Sequence, residues 1–167
     1  MDFYISLRND IVMTVDEIHL FFMKEALRQA KKAFSKNEVP VGTVAVLNNK
    51  IVARSHNNIE KSKLFFSHAE FLILVKLNKK FKNYKFLNDI IIYTTLEPCM
   101  MCTGALIQAR VRKIYYSASN KKLGFLSKIS FFSQKNKFYS KISFNSGLLE
   151  NESKFILKKF FLDLRKK

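Results

Sequence analysis

Thr94-Thr95-Leu96-Glu97-Pro98-Cys99-Met100-Met101-Cys102 places two thiols three positions apart, directly after a proline. Proline suits a first helical turn, and residues at i and i+3 share a helix face. Cys99 and Cys102 are therefore expected at a helix start with both sulfurs on one side. The positive end of the helix dipole favours thiolate over thiol, and thiolate is the form that binds a metal. Taken alone, the pair equally suits a redox dithiol, half of a structural zinc site, or two small buried side chains.

Upstream, Ser67-His68-Ala69-Glu70 adds a histidine and a carboxylate one residue apart. A structural zinc takes four protein ligands, whereas a catalytic zinc takes three and keeps the fourth position for water. The chain has only two cysteines, so His68, Cys99 and Cys102 read as an open site with Glu70 as its acid. The other histidines are weaker ligand candidates: His19 is expected on a surface helix and His56 at a strand end. Glu70 also has a purely local reading, since Ser67 and Glu70 match a helix capping box. Residues at i and i+2 diverge within a helix, so His68 and Glu70 reach one point only if they sit at the helix entrance.

His68-Ala69-Glu70 followed by Pro98-Cys99-Met100-Met101-Cys102 resembles the zinc-dependent cytidine deaminase superfamily. Within it the chain is similar to the bacterial tRNA-specific adenosine deaminases over about Asp16 to Lys167, with residues 119–145 matching poorly. Supporting motifs are Glu38-Val39-Pro40-Val41-Gly42, Asn57 at eleven residues before His68, and Tyr93-Thr94-Thr95-Leu96-Glu97-Pro98. The resemblance implies a three-layer αβα fold, with a central mixed sheet of about five strands and helices on both faces. It implies one zinc ion per chain on His68, Cys99 and Cys102, and Glu70 as a proton shuttle. It also implies Asn57 as a hydrogen-bonding partner of the target base, Val39, Pro40 and Leu96 as pocket walls, and a homodimer. The implied reaction converts the wobble adenosine of a tRNA anticodon stem-loop, that of an arginine tRNA, to inosine. Two rivals share the signature: a deaminase of free cytidine or guanine, and a non-catalytic, zinc-stabilised RNA-binding subunit, which has no need of Glu70.

A chain of 167 residues with 48% hydrophobic content suits one packed domain. The formal charge of +17 points to a polyanion, nucleic acid first. Most of the basic residues are Lys, and the chain is also rich in Phe, Ile and Asn, a bias that an AT-rich genome produces without selection for binding. No signal peptide and no apolar run near membrane length is visible, so the expectation is a cytoplasmic protein with no membrane segment.

Residues 1–13 read as a loose extension, and residues 14–167 as the deaminase domain. Thr14-Val15-Asp16-Glu17 is a capping box opening a helix whose apolar positions are Ile18, Phe22, Ala26, Ala30 and Phe34. Val41 to Leu47 and Ile51 to Arg54 read as a hairpin across Asn48-Asn49. Residues 59–66 read as a basic connection, followed by a helix from His68 to about Lys79. Asp89 to Tyr93 reads as a buried strand delivering Glu97 and the cysteines at its carboxyl end, as in α/β folds. A helix to Ala109 and a strand from Lys113 to Ala118 follow, and this alternation supports helices on both faces of the sheet. Between Ser119 and Phe144 the periodicity is weak. Phe125, Phe131, Phe132 and Tyr139 there suit either a base-stacking surface or a solvated loop with core anchors. Leu148 to Lys167 reads as an amphipathic helix, and in the resembling enzymes that helix touches the tRNA.

One segment departs from the family pattern. At Ala118-Ser119-Asn120-Lys121-Lys122-Leu123-Gly124 the resembling enzymes usually carry Ala-Arg-Asp and then Lys-Thr-Gly, so Asn120 stands where an acid is usual, beside the substrate backbone. A carboxylate only accepts hydrogen bonds, whereas an amide also donates and carries no charge. Relaxed discrimination between RNA and DNA is the expectation.

Overall fold

The computed structural model describes residues 5–7, 11–82, 84–129 and 142–166. Within residues 1–13, β1 (Ile5–Leu7) and β2 (Ile11–Met13) pair antiparallel, with Leu7 opposite Ile11. Both segments are short, and Ile5, Ile11 and Val12 are β-branched residues, which favour strand. This hairpin stays outside the main sheet.

Helix α1 (Val15–Phe34) starts at the capping box read from the sequence, with the Thr14 side chain accepting from the Glu17 amide and the Glu17 carboxylate accepting from the Thr14 amide. Its buried stripe includes Ile18, Phe22, Met23, Ala26 and Ala30. The chain then turns into β3 (Gly42–Leu47) and β4 (Lys50–His56), joined by Asn48 and Asn49 at φ 49° and 56°. Asparagine tolerates that left-handed region, and two such residues make a turn whose twist matches a hairpin. Gly42 is dictated by packing, because a Cβ there would stand 2.2 Å from the Ala26 carbonyl oxygen and 2.3 Å from the Ala30 nitrogen.

Between β4 and the next long helix the basic connection contains a single helical turn, α2 (Ile59–Ser62). Helix α3 (Ala69–Lys80), strand β5 (Ile91–Leu96), helix α4 (Met100–Gln108) and strand β6 (Lys113–Ala118) follow. A fifth strand of the sheet, β7 (Ser143–Ser146), begins at the end of the stretch of weak periodicity between Ser119 and Phe144, and α5 (Glu150–Leu164) closes the chain. The sheet order is β4-β3-β5-β6-β7, antiparallel from β4 to β5 and parallel from β5 to β7. Strand alternation divides the core. Val44, Tyr93 and Tyr115 face α1, whereas Ala45, Ile92 and Ile114 pack with Ile73 and Leu77 of α3 and Leu106 of α4.

His19 is not a surface residue. Half-buried between α1 and the sheet, its Nδ1 lies 2.6 Å from the Tyr93 hydroxyl and its Nε2 3.0 Å from the Tyr115 hydroxyl. Burial first, and the charge of Lys113 second, hold its pKa below the ordinary histidine value. Both ring nitrogens are occupied by tyrosines, which removes His19 from the possible metal ligands.

Candidate active site

The carboxyl end of β5 delivers Glu97 and Pro98 to Cys99, which is the N-cap of α4 in extended conformation, with Cys102 in the first turn. His68 is likewise the N-cap of α3, with φ −68° and ψ 150°. The capping-box reading of Ser67 and Glu70 is therefore overturned: no side chain caps α3, and the Ser67 hydroxyl accepts instead from that of Ser62, at 2.8 Å. The entrance of α3 is held by the Ser55 hydroxyl, which donates to the Ala69 carbonyl at 2.6 Å, and by the Asn58 amide, which donates to the Ser67 carbonyl at 3.0 Å.

Two helix starts thus meet. His68 Nδ1 stands 3.7 Å from Cys99 Sγ and 3.5 Å from Cys102 Sγ, and the three donor atoms lie within 4.8 Å of one another. Tetrahedral zinc, with bonds of about 2.0–2.1 Å to nitrogen and about 2.3 Å to sulfur, sets neighbouring N and S donors about 3.6 Å apart. The donor set fits zinc in both chemistry and spacing. Glu70 is not among these donors.

Burial raises the Glu70 carboxyl from 4.5 to about 7. Without metal the two thiols divide one proton: the hydrogen bond from Cys102 brings Cys99 down to about 4, and the same bond pushes Cys102 up. His68 is raised by its hydrogen bond to Cys99. The pairing therefore favours thiolate at Cys99, the form that binds a metal.

His68, Glu70 and Cys99 open into a cleft of about 540 Å³, a size suited to a small ligand, whereas Cys102 is buried and does not line it. Val39, Asn57, His68, Glu70, Leu96, Cys99 and Asn120 all line it. Pro40 does not. It is buried behind the wall, and Val41 takes its place at the surface of the cleft. Leu157, Phe161 and Arg165 also line it, and their i, i+4, i+8 spacing on a terminal helix was the available signal. Lys122 and Leu123 complete the rim. Asn120 is engaged within its own loop, its Oδ1 accepting from the Leu123 amide at 3.1 Å. The Phe125 amide donates to the Pro98 carbonyl at 3.1 Å, so this residue belongs to the loop's anchorage, whereas Phe131, Phe132 and Tyr139 lie outside the described residues.

Two buried carboxylates, Glu38 and Glu97, which stand in motifs quoted from the sequence but were given no role there, brace the cleft. Glu38 is fully buried and accepts from the Glu60 and Lys61 amides at 3.1 and 2.8 Å, capping α2 from a distant segment. Glu97 accepts from the Asn120 and Ser127 amides at 3.0 and 2.9 Å, tying the loop after β6 to the turn that carries Cys99.

A sequence model described as MafB19-like deaminase matches residues 17–165. The tRNA-specific adenosine deaminase of Bacillus subtilis (strain 168) is 40% identical over 155 residues, covering 93% of this chain and 94% of that protein. The chain belongs to this deaminase family. A solved structure from studies of A-to-I editing by tRNA:A34 deaminases superposes with a TM-score of 0.75 at 36% identity, over 82% of this chain and 99% of that one. A guanine deaminase from Nitrosomonas europaea superposes with a TM-score of 0.69 at 19% identity, over 84% of this chain and 83% of that one, a likeness of fold alone. Family membership accounts for the pairing of the two helix starts across the edge of a mixed sheet. Among the described residues no helix is long and apolar enough to cross a membrane.

Proposed function

We propose that this chain hydrolyses the wobble adenosine of a tRNA anticodon loop to inosine and ammonia. The carrying observation is the donor set His68, Cys99 and Cys102 beside a buried carboxyl that holds its proton near neutrality, in a cleft large enough for one base. Zinc held by His68 Nδ1 and the two cysteine sulfurs would supply Lewis acidity, lowering the pKa of a water toward neutral.

The chain's own residues do the rest. Hydrolysis delivers one proton to ring N1 and one to the departing amine, and the water supplies both. A single carboxyl that accepts and donates in turn closes that balance, and a pKa of about 7 lets Glu70 do either. Asn57, almost fully buried at the cleft wall, offers both a donor and an acceptor to the edge of the base. Val39, Val41 and Leu96 form an apolar wall that excludes bulk water. Lys122 and Arg165 on the same cleft favour a base that arrives with its phosphates over a free base. An unpaired loop nucleotide enters such a pocket at little cost.

The reading takes residues 14–167 as one domain working in the cytoplasm as a homodimer. Leu64 and Phe65, close before His68, and Met100, next to Cys99, are large exposed side chains available to a second copy. The decisive experiment is mass spectrometry of an anticodon stem-loop after incubation with zinc-loaded protein. A mass gain at the wobble position, with free adenosine, cytidine and guanine unchanged, is expected. Turnover of free guanine or cytidine at the stem-loop's rate would overturn the reading.

A further inference from the structure

Strand β4 is an edge of the sheet, flanked by α1 on one face and α3 on the other. Both helices end beside it, and both end in lysine: Lys31 and Lys32 in the last turn of α1, Lys79 and Lys80 in that of α3. From the α3 side, Lys76 Nζ donates to the Arg54 carbonyl at 2.6 Å and Lys80 Nζ to the Val52 carbonyl at 3.1 Å. From the α1 side, Lys36 Nζ stands 3.1 Å from His56 Nε2. Lys32 and Lys36 act on Lys76 as like charges, adding to the burial that lowers its pKa.

Among the described residues no ion pair relieves this crowding. Glu25 of α1 is buried and already paired with Arg28 and Arg54, and Glu60 pairs with Lys63. Among the described residues, none of Lys32, Lys36, Lys76 and Lys80 has an ion-pair partner. Seven strand residues, Lys50–His56, span about 20 Å at roughly 3.3 Å each. The end of this ridge adjoins the cleft, because His56 is followed directly by Asn57 of the cleft wall.

We propose that the β4 edge is a second nucleic-acid surface, a basic ridge that takes the phosphate backbone of the RNA beyond the loop held in the cleft. The inference rests on the tRNA reading of the cleft and extends it to the stem. Two features select a polyanion over an added peptide strand. Lysine ammonium groups occupy carbonyls that a pairing strand would need. The unpaired like charges gain most from a partner that neutralises several at once.

The test is binding of full-length tRNA over a salt series. It compares wild-type protein, the double variant Lys32→Gln with Lys36→Gln, and the charge-keeping double variant Lys32→Arg with Lys36→Arg. Each lysine lost from a phosphate contact should reduce the magnitude of the slope of log K against log salt by about 0.7–0.9. The Gln pair is expected to lose between one and two units of slope, and the Arg pair none. An unchanged slope in the Gln pair would overturn the ridge, as would an equal loss in the Arg pair. Polyglutamate binding as tightly as tRNA would reassign the surface to an acidic protein. Inosine formation is scored separately. A slope lost in the Gln pair and kept in the Arg pair, with no inosine formed by wild-type protein, would sink the cleft reading and leave the ridge standing, and active wild-type protein with an unaltered slope in the Gln pair would do the reverse.

Discussion

Glu70→Gln swaps a carboxyl for an amide of the same shape in a site that is 4% exposed. Two effects of opposite sign follow. The amide cannot take up and return a proton, so kcat on the stem-loop should fall by about 10²–10⁴. Folding, however, should become easier. Burial lifts the Glu70 carboxyl from 4.5 to about 7, so the native state binds a proton more tightly than the unfolded chain does. Stability contributed by that proton is fully present below pH 4.5 and lost as pH rises through 7. Above pH 7 the wild type carries a buried charge that costs about 3 kcal/mol at 1.36 kcal/mol per unit, a cost the amide avoids. Urea unfolding of metal-stripped protein should show the variant more stable by that amount at pH 8 and by almost nothing at pH 4.5. At roughly 2–4 °C per kcal/mol, the gain at pH 8 is a Tm rise of about 6–12 °C. A variant retaining more than a tenth of the activity would refute the proton-carrier role. A stability gain that does not change with pH would refute the burial argument.

Cys99→Ser and Cys102→Ser should each be purified with little bound zinc while Glu70→Gln keeps its full complement, as read by plasma mass spectrometry; the reverse order would remove the thiols from the donor set. Gly42→Ala pushes a methyl onto the backbone of α1 at Ala26 and Ala30, atoms that cannot rotate aside, so unfolding should show a loss at or above the usual overpacking cost of about 1–3 kcal/mol. A loss below 0.5 kcal/mol, on the order of a surface substitution, would show that α1 can move away from the sheet. Asn120→Asp keeps the oxygen that accepts from Leu123 but adds a charge and removes a donor at the cleft. The ratio of deamination rates on matched RNA and DNA hairpins should rise in the variant, and an unchanged or lower ratio would separate Asn120 from the substrate backbone.

What could be read from the sequence tracks how local the determining contact is. The capping box of α1, the Asn48-Asn49 hairpin turn and the two thiols all depend on neighbours a few residues away, and each stands where the spacing puts it. His19 was misplaced because its partners, Tyr93 and Tyr115, lie 74 and 96 residues along the chain. Strand β7 was missed because Ser-Phe-Asn-Ser has no strand pattern of its own; it is strand by pairing with β6. The single turn α2 exists where a carboxylate more than twenty residues upstream, Glu38, meets its first amides. Val39 and Val41 reach the cleft and Pro40 between them does not, the ordinary alternation of an extended segment.

The double grip of Glu97 on the loop after β6 divides that loop by how freely it can drift over generations. Asn120 and Ser127 are held by their amides, and Gly124 has no room for a side chain, since a Cβ there would stand 2.3 Å from the Glu97 carboxylate and 2.5 Å from the Asn120 carbonyl oxygen. Lys121, Lys122 and Leu123 lie between these fixed points and are exposed, with two of the three on the cleft rim. Those three positions form an exchangeable cassette: their side chains can be replaced at the cleft rim while the turn that carries Cys99 stays in place. Substitution at any one of these rim positions therefore leaves the Glu97 anchorage of the loop intact.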